Sequence, residues 1–314
     1  MKLRNFICVV LVFLLLFVTG CSTNTPDEVS TEPLTDAIEE PTSEESTEPL
    51  EELPTDPVEE VSPEKEKLDM NRTYSILFIG NSYTYYNDMP TAIFEKFAEA
   101  AGYKVEVTAI TKGAYKLYQF ADPADEYGTK VEKELTGSKK YDFVILQEQS
   151  IRPASENAPE FYASVRNLSE RIRATGATPV LYSTWGYKIG NANLEKYSLT
   201  NESMTWKMAA SYQAIGDELS IPVVHVGLAF YDLYSEKVGI ELYNADNSHP
   251  SAAGSYLAAA TLFAGIFNVD PTEVAYKGSV SAHDADILRE AAMRAVFETP
   301  AIPDEYIISS KGIG

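Results

Sequence analysis

The sequence predicts an α/β protein: a single three-layer α/β/α sandwich built on a central parallel five-stranded sheet. Two features carry that expectation. Five short runs of β-forming residues are apolar almost throughout, and longer stretches of helical spacing separate them. Strands without polar alternation belong to sheets covered on both faces, and strand–helix alternation places them parallel.

In chain order, "YSILFIG" (74–80) is the first strand, followed by a helix over 90–101, where Pro90 suits a first turn and Gly102 a stop. "KVEVTAI" (104–110) is the second strand and "YDFVILQ" (141–147) the third. The stretch "EFYASVRNLSERIRATG" (160–176) has helical spacing and ends at glycine. "TPVLYST" (178–184) is the fourth strand, a helix follows over 202–218, and "IPVVHVG" (221–227) is the fifth strand. Helices over 252–267 and 281–297 close the domain, which is assigned residues 70–314. No internal repeat is visible.

The first 21 residues read as an address. Lys2 and Arg4 precede an apolar run from Phe6 to Val18, and "VTGC" ends at Cys21. The run is too short for a comfortable bilayer span, which marks a secretory signal. It resembles a bacterial lipoprotein signal, which implies lipidation of Cys21, anchorage to a membrane and an extracytoplasmic location. Cys8 lies inside the signal, so cleavage leaves Cys21 as the sole cysteine and no disulfide within the chain.

Residues 22–69 carry 17 Asp or Glu against 2 Lys, a net of −15, interleaved with Pro, Ser and Thr. Self-repulsion and a shortage of apolar residues predict a disordered acidic linker. Of the total charge of −22, residues 70–314 retain −9. Such a body is unsuited to nucleic acid, whose phosphates require the opposite sign.

In parallel sheets the reactive groups gather past the carboxyl ends of the strands. Ser82, on the corner "GNS", follows the first strand; Gly113 follows the second; "QEQS" (147–150) follows the third; Trp185 follows the fourth. A further loop, "YNADNSHP" (243–250), sets Asp246 three residues before His249, directly ahead of an Ala-rich helix. Serine is a weak nucleophile that needs a base, and an imidazole needs a carboxylate to fix its tautomer. The glycine of the corner is expected to permit a sharp turn. The helix start behind it would add a favourable field. The chain's three histidines have no metal-ligand spacing, so neither metal nor cofactor is implied. His225, inside an apolar strand, reads as a core histidine, and His283 as exposed.

These blocks resemble the SGNH or GDSL-type hydrolases. "FIGNS" matches the family's first block with Asn81 where Asp is usual, and Asp246, His249 and Pro250 match the last. The resemblance implies the flavodoxin-like fold of that superfamily, with Ser82 as nucleophile, His249 as base and Asp246 as its orienting carboxylate. It also implies an oxyanion hole made by the N–H groups of Ser82 and Gly113 and by an amide from the third block. That block departs from the family's G-x-N-D, leaving Gln149 or Gln147 as the donor.

Tyr83, Tyr115 and Trp185, with Tyr85, Tyr86, Tyr118 and Tyr187, fall in the same loops, where they either stack on a substrate or pack the loops. Glu148 either contacts a substrate hydroxyl or makes a buried structural bond, and Arg152 either pairs with it or binds an anionic substrate group. The leading expectation is a surface-anchored serine esterase acting on a small-molecule or glycan ester, with O-acetyl groups on carbohydrate foremost. The alternatives are a lipase or thioesterase of the same fold, and a carbohydrate-binding lipoprotein without turnover.

Overall fold

The computed structural model describes residues 67–308. The signal, Cys21, nearly all of the acidic linker and the final six residues lie outside them. Strand β1 (Thr73–Gly80) leads into the one-turn helix α1 (Ser82–Tyr85) and, after a π-helical turn over Met89–Phe94, into α2 (Glu95–Ala100). Then come β2 (Lys104–Thr111), α3 (Leu117–Ala121), α4 (Glu126–Thr136), β3 (Phe143–Leu146), α5 (Ala158–Ala174) and β4 (Thr178–Ser183). The remainder is α6 (Ala192–Lys196), α7 (Asn201–Leu219), β5 (Val223–His225), α8 (Val226–Ser235), α9 (Ala252–Phe267) and α10 (Ala282–Phe297).

The five strands form one parallel sheet in the order β2-β1-β3-β4-β5. Right-handed crossovers running from β1 outward to β2 and from β3 through β4 to β5 proceed in opposite directions. Their helices therefore cover opposite faces, α2 with α9 on one and α5 with α7 on the other. Both faces of β1 are consequently apolar, and Ile76, Leu77, Phe78 and Ile79 have no exposed surface. Phe94, Phe97, Phe263 and Phe267 pack as an aromatic cluster beneath the α2–α9 layer.

Besides a third strand shortened to Phe143–Leu146 and the unforeseen helices α3, α4 and α6, two elements change character relative to the sequence expectation. The fifth strand stops at His225, and the rest of "VVHVGLAF" winds into α8. A continuous apolar run does not distinguish a buried strand from a buried helix. Gly227 marks the change: a Cβ there would meet the Thr184 carbonyl oxygen at 2.1 Å, so only glycine lets α8 lie against the end of β4. The helix expected over 90–101 begins instead as a π turn, in which the Glu95 N–H donates to the Pro90 carbonyl.

The strand order places the site. Strand β1 sits between β2 and β3, so the loops leaving β2 and β3 converge on the residue that follows β1. That is the crevice where parallel α/β sheets bind ligands.

Candidate active site

Asn81 organises the corner after β1 with every part of its carboxamide and its own N–H. Its Oδ1 accepts the Tyr83 N–H at 3.1 Å, capping α1, and its Nδ2 donates to the Tyr115 carbonyl at 3.0 Å in the loop after β2. Its backbone N–H donates to Gln147 Oε1 at 2.8 Å. A carboxylate could cap but could not donate, which gives asparagine a physical reason at this position.

Gly80 is required for close approach rather than for a turn. A Cβ there would lie 2.4 Å from Thr84 Oγ1 and 2.6 Å from Gln147 Oε1, and its φ is not in the left-handed region. The helix that Ser82 begins is only four residues long, so little dipole accumulates behind it.

His249 arrives on the tight turn before α9. The Asp246 Oδ1 accepts the N–H groups of Ser248 at 3.0 Å and His249 at 2.9 Å, while Asn244 donates its N–H to the His249 carbonyl at 2.8 Å. The same Asp246 carboxylate meets the His249 Nδ1 at 2.5 Å through Oδ2, and the His249 Nε2 lies 2.8 Å from Ser82 Oγ. With Nδ1–H donating to the carboxylate, Nε2 is left to accept the serine proton. Partial burial pushes the Asp246 carboxyl up, but the hydrogen bonds from the imidazole and the two N–H groups outweigh it and hold its pKa below the usual range.

Aromatic rings hold this turn. Tyr86 stacks on the imidazole with centroids 4.3 Å apart, and Tyr83 meets it edge-on at 5.6 Å. Tyr83 stacks in turn on Trp185 at 4.7 Å, and Trp185 on Phe230 at 4.0 Å. The Trp185 Nε1–H donates to the Ser248 carbonyl at 3.0 Å, and the Tyr83 hydroxyl shares a 2.7 Å hydrogen bond with Ser248 Oγ.

A cavity of about 350 Å³ opens over Ser82 and His249, with Gly113, Gln149, Tyr85 and Tyr86 among its walls. Among the described residues, the N–H groups of Ser82 and Gly113 have no acceptor. The Gln149 Nε2 donates to Ser150 Oγ at 2.9 Å, which leaves its second proton for a ligand.

Several residues singled out from the sequence take other places. Gln147 is buried, accepts from Asn81 N and Thr84 Oγ1, donates to the Glu148 carbonyl and does not line the cavity, so it is not an oxyanion donor. Glu148 has no exposed surface and is no substrate contact: its Oε1 accepts the N–H groups of Leu117 at 3.1 Å and Gln149 at 2.6 Å. Burial pushes its pKa up to about 7, against the lowering effect of those two bonds and of Arg152 and Lys116. Trp185 is wholly buried behind Tyr83 and has no surface to offer a substrate.

Tyr115 contributes its carbonyl to Asn81, and its ring packs on Phe120 and Tyr127. Arg152 pairs with Glu160 and reaches Glu148 only at 3.9 Å. His225 is buried with Nε2 2.9 Å from Gln213 Oε1, and burial lowers its pKa to about 4. His283 is exposed. Ser150, Tyr187 and Ser248 line the cavity although the sequence did not single out the two serines; they stand within two residues of motif positions, which is the only signal they carry.

A parallel α/β/α sandwich with hydroxyl, imidazole and carboxylate in line at the carboxyl edge of β1 defines the class of a serine-dependent hydrolase. At 32% identity and a TM-score of 0.53, the chain aligns with a solved protein assigned as an SGNH hydrolase from Slackia heliotrinireducens, over 62% of this chain and 100% of that one. It also shares its fold with a DUF4886 family protein from Bacteroides uniformis, at 19% identity and a TM-score of 0.63, over 74% of this chain and 98% of that one. No protein-family model and no curated protein matches the chain. The chain belongs to the SGNH hydrolase superfamily and is an enzyme of that ester-hydrolysing class.

Proposed function

We propose that this enzyme is a serine esterase that removes small acyl groups, O-acetyl foremost, from carbohydrate esters through Ser82, His249 and Asp246. The observation that carries the reading is the 2.8 Å contact between Ser82 Oγ and His249 Nε2, continued at 2.5 Å from His249 Nδ1 to Asp246.

In the first half-reaction Ser82 Oγ bonds to the ester carbonyl carbon while its proton passes to His249 Nε2. The carbonyl electrons move onto oxygen, where the N–H groups of Ser82 and Gly113 and the Gln149 amide receive the charge. Collapse breaks the bond to the leaving alkoxide, which takes the proton from His249. Water repeats the sequence on the acyl-enzyme, delivering its proton to His249, and Ser82 departs as the free hydroxyl.

The cavity of about 350 Å³, walled by Tyr85, Tyr86 and Tyr187, suits a small acyl group beside a ring that can stack. The intact line of three side chains disfavours a binder without turnover. The signal ending at Cys21 supports an extracytoplasmic enzyme tethered to a bacterial membrane.

Hydrolysis of an activated acetyl ester, followed by acetate release from acetylated glycans, tests the activity. Wild type should turn both over and Ser82→Ala neither; full turnover by Ser82→Ala would refute the assignment. Detergent-phase partitioning that Cys21→Ser abolishes is the expected outcome for the anchor.

A further inference from the structure

The segment "YTYYNDMP" (83–90) leaves the serine corner by an unusual route. Asn87 (φ 55°, ψ 27°) and Asp88 (φ 51°, ψ 37°) are consecutive non-glycine residues in the left-handed region. Asn and Asp tolerate that conformation better than other side chains, but two in succession persist only where the surroundings hold them.

What holds Asn87 is the other arm of the site. The Asn87 Nδ2 lies 3.2 Å from the Pro250 carbonyl, 3.1 Å from the Ser251 carbonyl and 2.8 Å from Ser255 Oγ, sharing two protons among three acceptors. The Ser255 hydroxyl also donates to the Tyr86 carbonyl at 3.3 Å. All three acceptors lie on the stretch that runs from His249 into α9. One residue earlier, the Tyr86 ring lies flat on the imidazole. Asn87 is exposed and is not among the residues that wall the cavity.

We propose that Asn87 is a positioning residue: its carboxamide, aimed by the left-handed backbone at 87–88, clips the Ser82 arm to the His249 arm and sets the separation of the two reacting groups. The proposal rests on the reading of Ser82 and His249 as nucleophile and base. Removing the clip lets the arms drift, and a displacement near 1 Å at the reacting atoms costs on the order of 100-fold in rate.

Two variants test it. Asn87→Gly keeps the left-handed backbone at no steric cost but deletes the clip; Asn87→Asp keeps the shape but turns a donor into an acceptor facing three oxygens. With an activated acetyl ester, both should lower kcat by about 10- to 100-fold. KM should stay within about twofold, because no substrate contact is lost. The melting temperature of Asn87→Gly should stay close to wild type.

In a His249→Ala background, Asn87→Gly should cause no further fall, since the clip then has no imidazole to place. Unchanged kcat, an equal fold-loss in both backgrounds, or loss of the folded state in both variants would overturn the proposal. An active Ser82→Ala variant would sink the underlying reading instead, whereas a dead Ser82→Ala beside a fully active Asn87→Gly sinks only the clip.

Discussion

Gln147 and Asn81 are joined beneath the nucleophile corner by a 2.8 Å hydrogen bond from the Asn81 N–H to the Gln147 carboxamide oxygen. That bond, with the Thr84 hydroxyl on the same oxygen at 2.9 Å, spends Gln147 on structure and leaves Gln149 to face the cavity. The two glutamines, one residue apart on either side of Glu148, therefore have separable roles.

Gln149→Ala should lower kcat by about 100- to 1000-fold while barely moving the melting temperature, as the loss of one oxyanion donor does. Gln147→Ala should instead destabilise the fold by about 1–3 kcal/mol, because the Asn81 N–H and the Thr84 hydroxyl are left buried without an acceptor. Steady-state kinetics beside thermal melts of both variants check the division.

Asn81→Asp restores the residue more usual in the superfamily and should nonetheless weaken this protein. The cap on Tyr83 N survives, but the donor to the Tyr115 carbonyl is replaced by a charged acceptor. A loss of about 1 kcal/mol or more is expected, read as a lower melting temperature.

Glu148 and His225 give the stability a pH dependence of opposite signs. Burial raises the Glu148 carboxyl from 4.5 to about 7, so the native state holds that proton more tightly than the unfolded chain. Its contribution is fully present below about pH 4.5 and is lost as pH rises to 7, a change of about 3 kcal/mol. Burial lowers His225 from 6.5 to about 4, so the native state resists a proton that the unfolded chain accepts. That contribution is complete above about pH 6.5 and is lost as pH falls to 4.

Glu148→Gln should therefore melt close to wild type at pH 5 and above it at pH 8. Parallel melting curves for the two across that range would contradict the sign.

The order of the blocks and the alternation of strand with helix were legible in the sequence, because buried parallel strands and helix stops leave strong local marks. Helix α9 is legible from its Ala-rich run after Pro250. Strand order leaves no mark in any local pattern and is carried only by the resemblance to a flavodoxin-like fold, yet it is what sets Gly113 and Gln149 on either side of Ser82. Side-chain direction past the strand ends was not legible either. An apolar strand buried on both faces carries no alternation to say which neighbour points inward, so nothing in the sequence shows that Glu148, Gln147 and Trp185 pack behind the site. Gly80 was a signal of the right residue for a different cause, close packing against Thr84 and Gln147.

The central claim is that Ser82 is the group made nucleophilic by His249 and Asp246, and mass mapping after exposure to a serine-directed phosphonate tests it most directly. A single adduct on Ser82, absent from Ser82→Ala and formed far more slowly in His249→Ala, is the expected result. No adduct in the folded wild-type protein, or an adduct on another residue with Ser82 unmodified, would contradict it.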